Sequence, residues 1–324
     1  MITWMNRELS GWAERVREAQ ERICAVIEET PLLLVEDSNP AFVRAQVYLK
    51  MEHLQKTGSF KLRGATSKVL SLSADDATRG VLASSTGNHG LGVAAAAQDR
   101  GIECEVYVSS QVSPKKLEMI AGLAARIRYA GGTPLEAEIA ARKAATRSGK
   151  TYISPYNDPE VIAGQGTIAI ELLRQASQID AIYIAVGGGG LISGIGAYLK
   201  LMSPATKIVG CWPETSRVMY ECLRAGQIIE FPEQPTLSES TAGGVEPESI
   251  TFALCQTVID ATVLVSEEDI LDAMRWAHAK GWHIEGASAV AIAAYVREAA
   301  RHHNESVIIL SCGGNISPEV LSRL

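Results

Sequence analysis

Residues 181–199 read AIYIAVGGGGLISGIGAYL, without a single charged side chain. An uncharged run of that length is long enough to span a bilayer. Six glycines interrupt it, however, and four of them, Gly187 to Gly190, are consecutive. A buried strand over 181–186, a tight loop and a helix fit the pattern better, so it is read as no transmembrane segment. A wholly apolar strand that feeds a helix through glycines implies a parallel sheet covered on both faces. The glycines also carry chemistry: they let backbone N–H groups converge on an anion, and the helix start adds its positive dipole end. The dinucleotide pattern GxGxxG is not met, because Ile192 stands where the third glycine would fall, and no Walker lysine follows. A phosphate site without a nucleotide motif leaves sugar phosphates and pyridoxal phosphate as leading guests. The bland alternative is a glycine loop needed only for close packing.

The remaining chain repeats the strand–helix rhythm, which predicts an α/β fold with mostly parallel strands. Further strands are predicted over 45–50, 80–83, 103–108, 126–129, 207–212 and 306–310. Helices are predicted over about 59–70, 90–99, 114–121, 134–148, 165–177, 268–280 and 287–301. The stretch 73–152 has the spacing of a compact subdomain. The strand at 306–310 runs into Ser311-Cys312-Gly313-Gly314-Asn315. Two glycine-rich loops thus sit at the C-terminal ends of buried strands, where open α/β sheets bind ligands.

The formal net charge of −7 and the absence of a Lys/Arg block exclude nucleic acid and anionic membranes as main partners. An anionic ligand must be held by local features. Six cysteines are scattered without a CxxC pair or interleaved histidines, which predicts free thiols in a reducing cytoplasm. The charged N-terminus lacks the apolar core of a signal peptide.

Two more segments carry chemistry. In Ser59-Phe60-Lys61-Leu62-Arg63-Gly64-Ala65, Lys61 follows an aromatic residue at the start of a predicted helix. A lysine that forms a Schiff base needs a lowered pKa, which desolvation and a neighbouring positive charge such as Arg63 can supply. A lone lysine is otherwise a solvated surface charge. In Ser84-Ser85-Thr86-Gly87-Asn88-His89-Gly90, hydroxyls, an amide and helix-end N–H groups form a cradle for a carboxylate. His89 reads equally well as a general base or as a structural histidine at a helix start.

Taken together these segments resemble the fold-type-II pyridoxal-phosphate enzymes, specifically the serine/threonine dehydratase and serine racemase branch. The likeness runs from about residue 23 to 315, with the motifs in the family's order. It implies a tryptophan synthase β-like α/β fold of two open, twisted, mostly parallel sheets flanked by helices. It also implies a large cofactor-binding domain (1–72 and 153–324) and a small substrate-binding domain (73–152). SFKLRGA matches SFKxRGA, so the resemblance makes Lys61 the lysine that holds pyridoxal 5'-phosphate, with Phe60 against its ring. SSTGNHG is similar to the SxGNHx loop, which places Ser85, Thr86, Asn88 and His89 around the substrate carboxylate and lets Asn88 reach the cofactor as well. GGGGL resembles the phosphate loop, placing Gly187, Gly188, Gly189, Gly190 and Leu191 around the cofactor phosphate. SCGGN puts Cys312 opposite the ring nitrogen, and Glu285 matches a glutamate near the ring. For Glu285 the plain alternative is a helix-start carboxylate favoured by the dipole.

The implied activity is loss of water from a small β-hydroxy amino acid, giving a 2-oxo acid and ammonia, by a cytoplasmic homodimer. Departures from the family pattern qualify it. Thr86 stands where the racemase carries a serine serving the opposite face, which leaves Thr86 as a second proton carrier and a racemase activity open. Trp212 and Val218 replace the carboxylates of metal-dependent relatives, so no metal site is expected, although Glu214 lies nearby. Leu237-Ser238-Glu239-Ser240-Thr241 replaces the Asp-Gly seen in relatives, and TAGGVEPESITF resembles dehydratases of hydroxyectoine utilisation, which suggests a hydroxylated diamino acid. The competing readings are a β-replacement synthase, which His89 argues against, and a silent cofactor-binding protein, which Lys61 and the intact glycine loop argue against. The C-terminus at Leu324 implies no regulatory domain. His302 and His303, adjacent in sequence, read as surface residues.

Overall fold

The computed structural model describes residues 2–112, 117–118, 120 and 122–324. Among the described residues ten strands form two sheets: β1 (Leu32–Leu34), β2 (Gln46–Met51), β3 (Val81–Ser84), β4 (Cys104–Val108), β5 (Arg126–Tyr129), β6 (Thr151–Tyr152), β7 (Ala181–Ala185), β8 (Lys207–Pro213), β9 (Ala261–Val265) and β10 (Ser306–Ser311). The larger sheet has the order β1-β2-β10-β7-β8-β9 and the smaller one β5-β4-β3-β6. Every pairing is parallel except that of β1 with β2. The uncharged run resolves as expected: β7 is buried along its whole length, then come the glycines, then the helix Gly190–Met202. Among the described residues no helix is long and apolar enough to cross a membrane.

Central strands buried on both faces cannot alternate, and Val307 to Leu310 of β10 are fully buried accordingly. One core lies on each side of the larger sheet: Tyr183, Val209 and Ile309 pack toward Ala289–Tyr295, whereas Ile182, Ile184 and Ile308 pack toward Ile168, Leu172 and Ile195. This is the two-residue period of a strand read through a three-layer sandwich. A third core under the smaller sheet joins Val81, Ala83 and Val106 to Ala65 and Val69 of the helix Lys61–Ser71 and to Val161 of the helix Pro159–Gln175.

Several expectations change. The helix predicted over 114–121 lies largely outside the described residues. The strands β1 and β9 and the helices Ile2–Ile23, Val218–Ala225 and Ile250–Val258 were not anticipated. His302 is not a surface residue: it is 5% exposed, accepts or donates at 2.7 Å with the Tyr183 hydroxyl, and stacks beside Tyr295. It sits just after a short 3-10 turn, Ala299–Arg301, which rotates it inward and leaves His303 outside.

The helix starts fall into two kinds. Thr133 with Glu136, and Ser266 with Asp269, form reciprocal capping boxes, and Asp158 caps the N–H groups of Glu160 and Val161. The helices that begin at Lys61, Asn88, Gly190 and Gly286 have no side-chain cap. Those four starts surround the site.

Candidate active site

The glycine loop leaves β7 at its C-terminal end. Gly189, the N-cap residue, is left-handed at φ 85°, a conformation glycine adopts without strain. The first backbone bond of the following helix is Ser193 N–H to the Gly189 carbonyl. Among the described residues, the buried N–H groups of Gly190, Leu191 and Ile192 therefore meet no acceptor. Buried donors without acceptors are costly, and three at the positive end of a helix suit a phosphate. The glycines are also sterically required. A Cβ on Gly188 would lie 2.4 Å from the Tyr156 ring, and one on Gly187 would lie 2.8 Å from the Thr241 carbonyl oxygen.

Lys61 is the first residue of its helix. Its Nζ donates to the Pro155 carbonyl at 2.8 Å and lies 5.1 Å from the centre of the Phe60 ring. Desolvation brings its pKa down from 10.5 to about 8, against the opposing pull of Cys312 and Glu285. The helix dipole acts in the same direction as desolvation, since a cation is disfavoured at an N-terminus. Arg63 does not contribute as expected. Its guanidinium turns to the other side of the helix, into a buried network with Glu52 at 2.7 Å and Glu171 at 2.5 Å, and Lys50 completes that network at 2.5 Å from Glu171. Two cations and two carboxylates neutralise one another there, so Arg63 holds the fold and leaves Lys61 to burial.

A second uncapped helix start follows β3. Gly87 is its N-cap, and Leu91 N–H makes the first bond back to it. Ser85 and Thr86 are half-buried, and the Ser85 hydroxyl accepts from Gly87 N–H at 3.1 Å. Close approach explains both later glycines: a Cβ on Gly90 would sit 2.2 Å from the Ser85 carbonyl oxygen, and one on Gly92 would sit 3.2 Å from the Leu62 nitrogen. The latter contact brings the Asn88–Arg100 helix against the start of the Lys61 helix. His89 is buried with Nε2 at 2.8 Å from the Ile153 carbonyl, and burial, then the charge of Lys61, push it down to about 3. It is a neutral ring fixed to backbone, which favours the structural alternative for that edge.

Asn88 donates to both oxygens of Glu285, at 3.0 and 2.9 Å, and accepts from the Asn315 side chain at 2.7 Å. Ser240 donates to Glu285 at 2.6 Å. Glu285 occupies the N-cap position of the helix Gly286–Glu298, but its side chain makes no capping bond; its carboxyl is buried and held above the usual carboxylate range by desolvation. Cys312, at the end of β10, is also buried, and its thiol is pushed up to about 12 by desolvation first and by Glu285 second. Ser288 fixes the adjacent peptide by donating to the Gly313 carbonyl at 2.7 Å and accepting from Gly313 N–H at 2.9 Å. The hydrogen bonds and electrostatic couplings thus bring Lys61, Asn88, Glu285 and Cys312 together, and Pro155-Tyr156 links Lys61 to the glycine loop. Glu214 stands apart and pairs with Arg297 at 3.5 Å. Sequence reasoning missed Pro155, Tyr156 and Ser288, none of which has a local pattern that marks it; Ser240 and Asn315 lie within segments it singled out, 237–241 and SCGGN, but were given no role of their own.

These residues fit a phosphorylated aromatic aldehyde: an amine whose pKa burial draws down toward neutrality, bare N–H donors for a phosphate, and a neutral thiol. A family profile described as pyridoxal-phosphate dependent enzyme matches residues 23–313. The chain is 36% identical over 312 residues to an L-threonine ammonia-lyase of Thermotoga maritima, covering 96% of this chain and 77% of that protein. It is 32% identical over 307 residues to a serine racemase of Arabidopsis thaliana, covering 93% and 92%. The structure of the processed form of threonine deaminase isoform 2 from Solanum lycopersicum superposes with a TM-score of 0.92 at 33% identity, over 98% of this chain and 92% of that one.

Proposed function

The chain belongs to the pyridoxal-phosphate dependent enzyme family, and from that premise we propose that it is a lyase converting a small β-hydroxy amino acid to a 2-oxo acid and ammonia. The observation that carries the reading is Lys61, an amine desolvated to a pKa of about 8 with one carbonyl as its hydrogen-bond partner among the described residues. When bound, pyridoxal phosphate supplies an electron sink conjugated to the substrate's α-carbon. Lys61 would hold the cofactor, and its amine, when free, would take the α-proton as general base. The N–H groups of Gly187 to Leu191 would hold the phosphate, and Phe60 would lie against the ring. Ser85, Thr86, Asn88 and His89, at the open start of the helix Asn88–Arg100, receive the substrate carboxylate and fix the angle of the bond to be broken. Cys312 stays protonated and cannot hold a proton on a ring nitrogen as an aspartate would. That weakens the sink and suits prompt loss of a β-substituent over storage of charge.

Two features bear on the substrate. The L-threonine ammonia-lyase and threonine deaminase relatives favour a threonine- or serine-like compound. Glu239 lies close enough to Glu285 to oppose its ionisation, and this acidity favours an additional ammonium on the substrate, as in a hydroxylated diamino acid. A racemase reading is kept as second: Thr86 is half-buried at the carboxylate cradle, placed to carry a proton, and a serine racemase is among the relatives. We further propose that residues 73–152 form the substrate-binding unit and that the enzyme is a cytoplasmic homodimer.

The test is a panel of β-hydroxy amino acids in both enantiomers, with oxo acid, ammonia and optical rotation read from each reaction. Oxo acid and ammonia from one member, lost in Lys61→Ala, support the lyase. Inversion without ammonia selects the racemase, and borohydride trapping of the cofactor on another residue overturns the role of Lys61.

A further inference from the structure

The back of the glycine loop is covered by the helix Ile250–Val258, whose start is built unusually. Ser249 occupies the N-cap, where a serine ordinarily accepts an N–H of its own helix, yet it makes no capping bond. Its hydroxyl lies instead 2.8 Å from the Thr251 hydroxyl, and Thr251 Oγ1 donates to the Gly188 carbonyl at 2.6 Å. A carbonyl only accepts, so the Thr251 proton is committed to Gly188, and Ser249 must donate to Thr251. Both hydroxyls are thereby diverted from the helix to the loop. Thr251 is fully buried, and no bulk solvent competes for either bond.

In a planar trans peptide the C=O and the following N–H point in opposite directions. Anchoring the Gly188 carbonyl on the helix therefore turns the Gly189 N–H away from it. Cys255, one turn further along, closes the other escape: a Cβ on Gly189 would lie 2.7 Å from its Sγ and 3.3 Å from the Thr251 Cβ. The loop can neither flip nor slide toward the helix. An unanchored four-glycine segment has great backbone freedom and would lose it on binding an anion.

We propose that Thr251 is a positioning residue for the cofactor phosphate, holding the glycine loop with its donors set before the cofactor arrives; this rests on the reading of Gly187 to Leu191 as the phosphate site. The consequence is specific to the phosphate end of the ligand. The bond from Lys61 to the aldehyde is made at the other end and does not depend on the loop.

The test compares pyridoxal phosphate with pyridoxal, which carries the same aldehyde and no phosphate, on apoenzyme of wild type, Thr251→Val, Thr251→Ala and Thr251→Ser. The readouts are the equilibrium constant from visible absorbance and the melting temperature of the apoprotein. Removing the donor should weaken pyridoxal phosphate roughly tenfold in Thr251→Val and Thr251→Ala. Pyridoxal should stay within about twofold, and Thr251→Ser should restore the phosphorylated ligand, because it keeps the hydroxyl. Equal weakening of both ligands, or no weakening of either, overturns the proposal, as does failure of serine to rescue. If the valine variant does not fold, alanine and serine still decide. Wild type that binds neither ligand overturns the phosphate site itself, whereas wild type that discriminates while the variants match it overturns only Thr251.

Discussion

The reactivity of Lys61 makes a prediction that the geometry allows to be worked through. An ordinary lysine titrates at 10.5, and burial brings Lys61 to about 8. At pH 7 the solvated amine is neutral roughly 0.03% of the time and the buried one about a tenth of the time, a gain of about 300-fold in the population of the reactive form. The perturbation is pH, applied to apoenzyme mixed with pyridoxal phosphate, with the visible band followed by stopped flow. A free alkyl amine measured in the same buffers, its rate divided by its own neutral fraction, removes the cofactor's own titration from the ratio. Below the midpoint the corrected rate should climb about tenfold per pH unit, and near pH 8 it should level off. The sign follows from the cationic acid: protons leave Lys61 as pH rises, and only the neutral amine reacts. Glu285 and Cys312 pull the other way, so Glu285→Gln should lower the midpoint further. A corrected rate that keeps rising beyond pH 9.5 would refute the argument that desolvation activates this lysine.

Other consequences are more local. Gly189→Ala places a Cβ 2.7 Å from Cys255 Sγ at a backbone φ of 85°; the variant should lose cofactor affinity by about 5- to 150-fold in absorbance titration, since strain of about 1–3 kcal/mol falls on the loop itself. Arg63→Met leaves Glu52 and Glu171 buried without their cation, so urea unfolding should show a loss of about 3–5 kcal/mol, while the pH midpoint of Lys61 in the folded fraction stays near 8. Thr86→Ala should abolish any racemisation and leave ammonia release within about tenfold of wild type if Thr86 serves only the second face; chiral chromatography of residual substrate decides it.

How much of this was legible in the sequence depends on how far apart the interacting residues lie. The strand–glycine–helix run at 181–199 and the SFKLRGA segment are local patterns, and a local pattern already constrains backbone and burial. The identity of Lys61's perturbant was not local. Arg63 stands two residues away, yet a helix turns successive side chains by about 100°, and the partners that capture it, Glu52 and Glu171, lie 11 and 108 positions off. The same holds for Asn88, whose orientation comes from Glu285 and Asn315, at separations of 197 and 227. His302 shows the converse error: a polar residue beside a charged neighbour looks exposed until a 3-10 turn points it at Tyr183. β1 was missed because three residues carry too little alternation to register.

One signal was nevertheless available, and the structure explains why it works and where it fails. A helix start with Ser, Thr or Asp at its N-cap satisfies its own donors, as Thr133, Asp158 and Ser266 do. Giving up that cap for glycine costs only a few tenths of a kcal/mol, so a helix that follows a buried strand and begins on glycine can leave its donors bare for a ligand at little loss. Among the described helices, glycine holds the N-cap only at Gly87 and Gly189. Those are the two starts to which the carboxylate and the phosphate are assigned. Lacking a cap is not enough, since Arg217 also opens an uncapped helix; the glycine matters because a missing Cβ lets the ligand approach the backbone. The rule fails for the helix Ile250–Val258. Ser249 is the right residue for a cap, but its proton is spent on Thr251 and, through it, on the carbonyl of Gly188. A residue's type shows which bonds it can make, and only the fold shows which of them it makes.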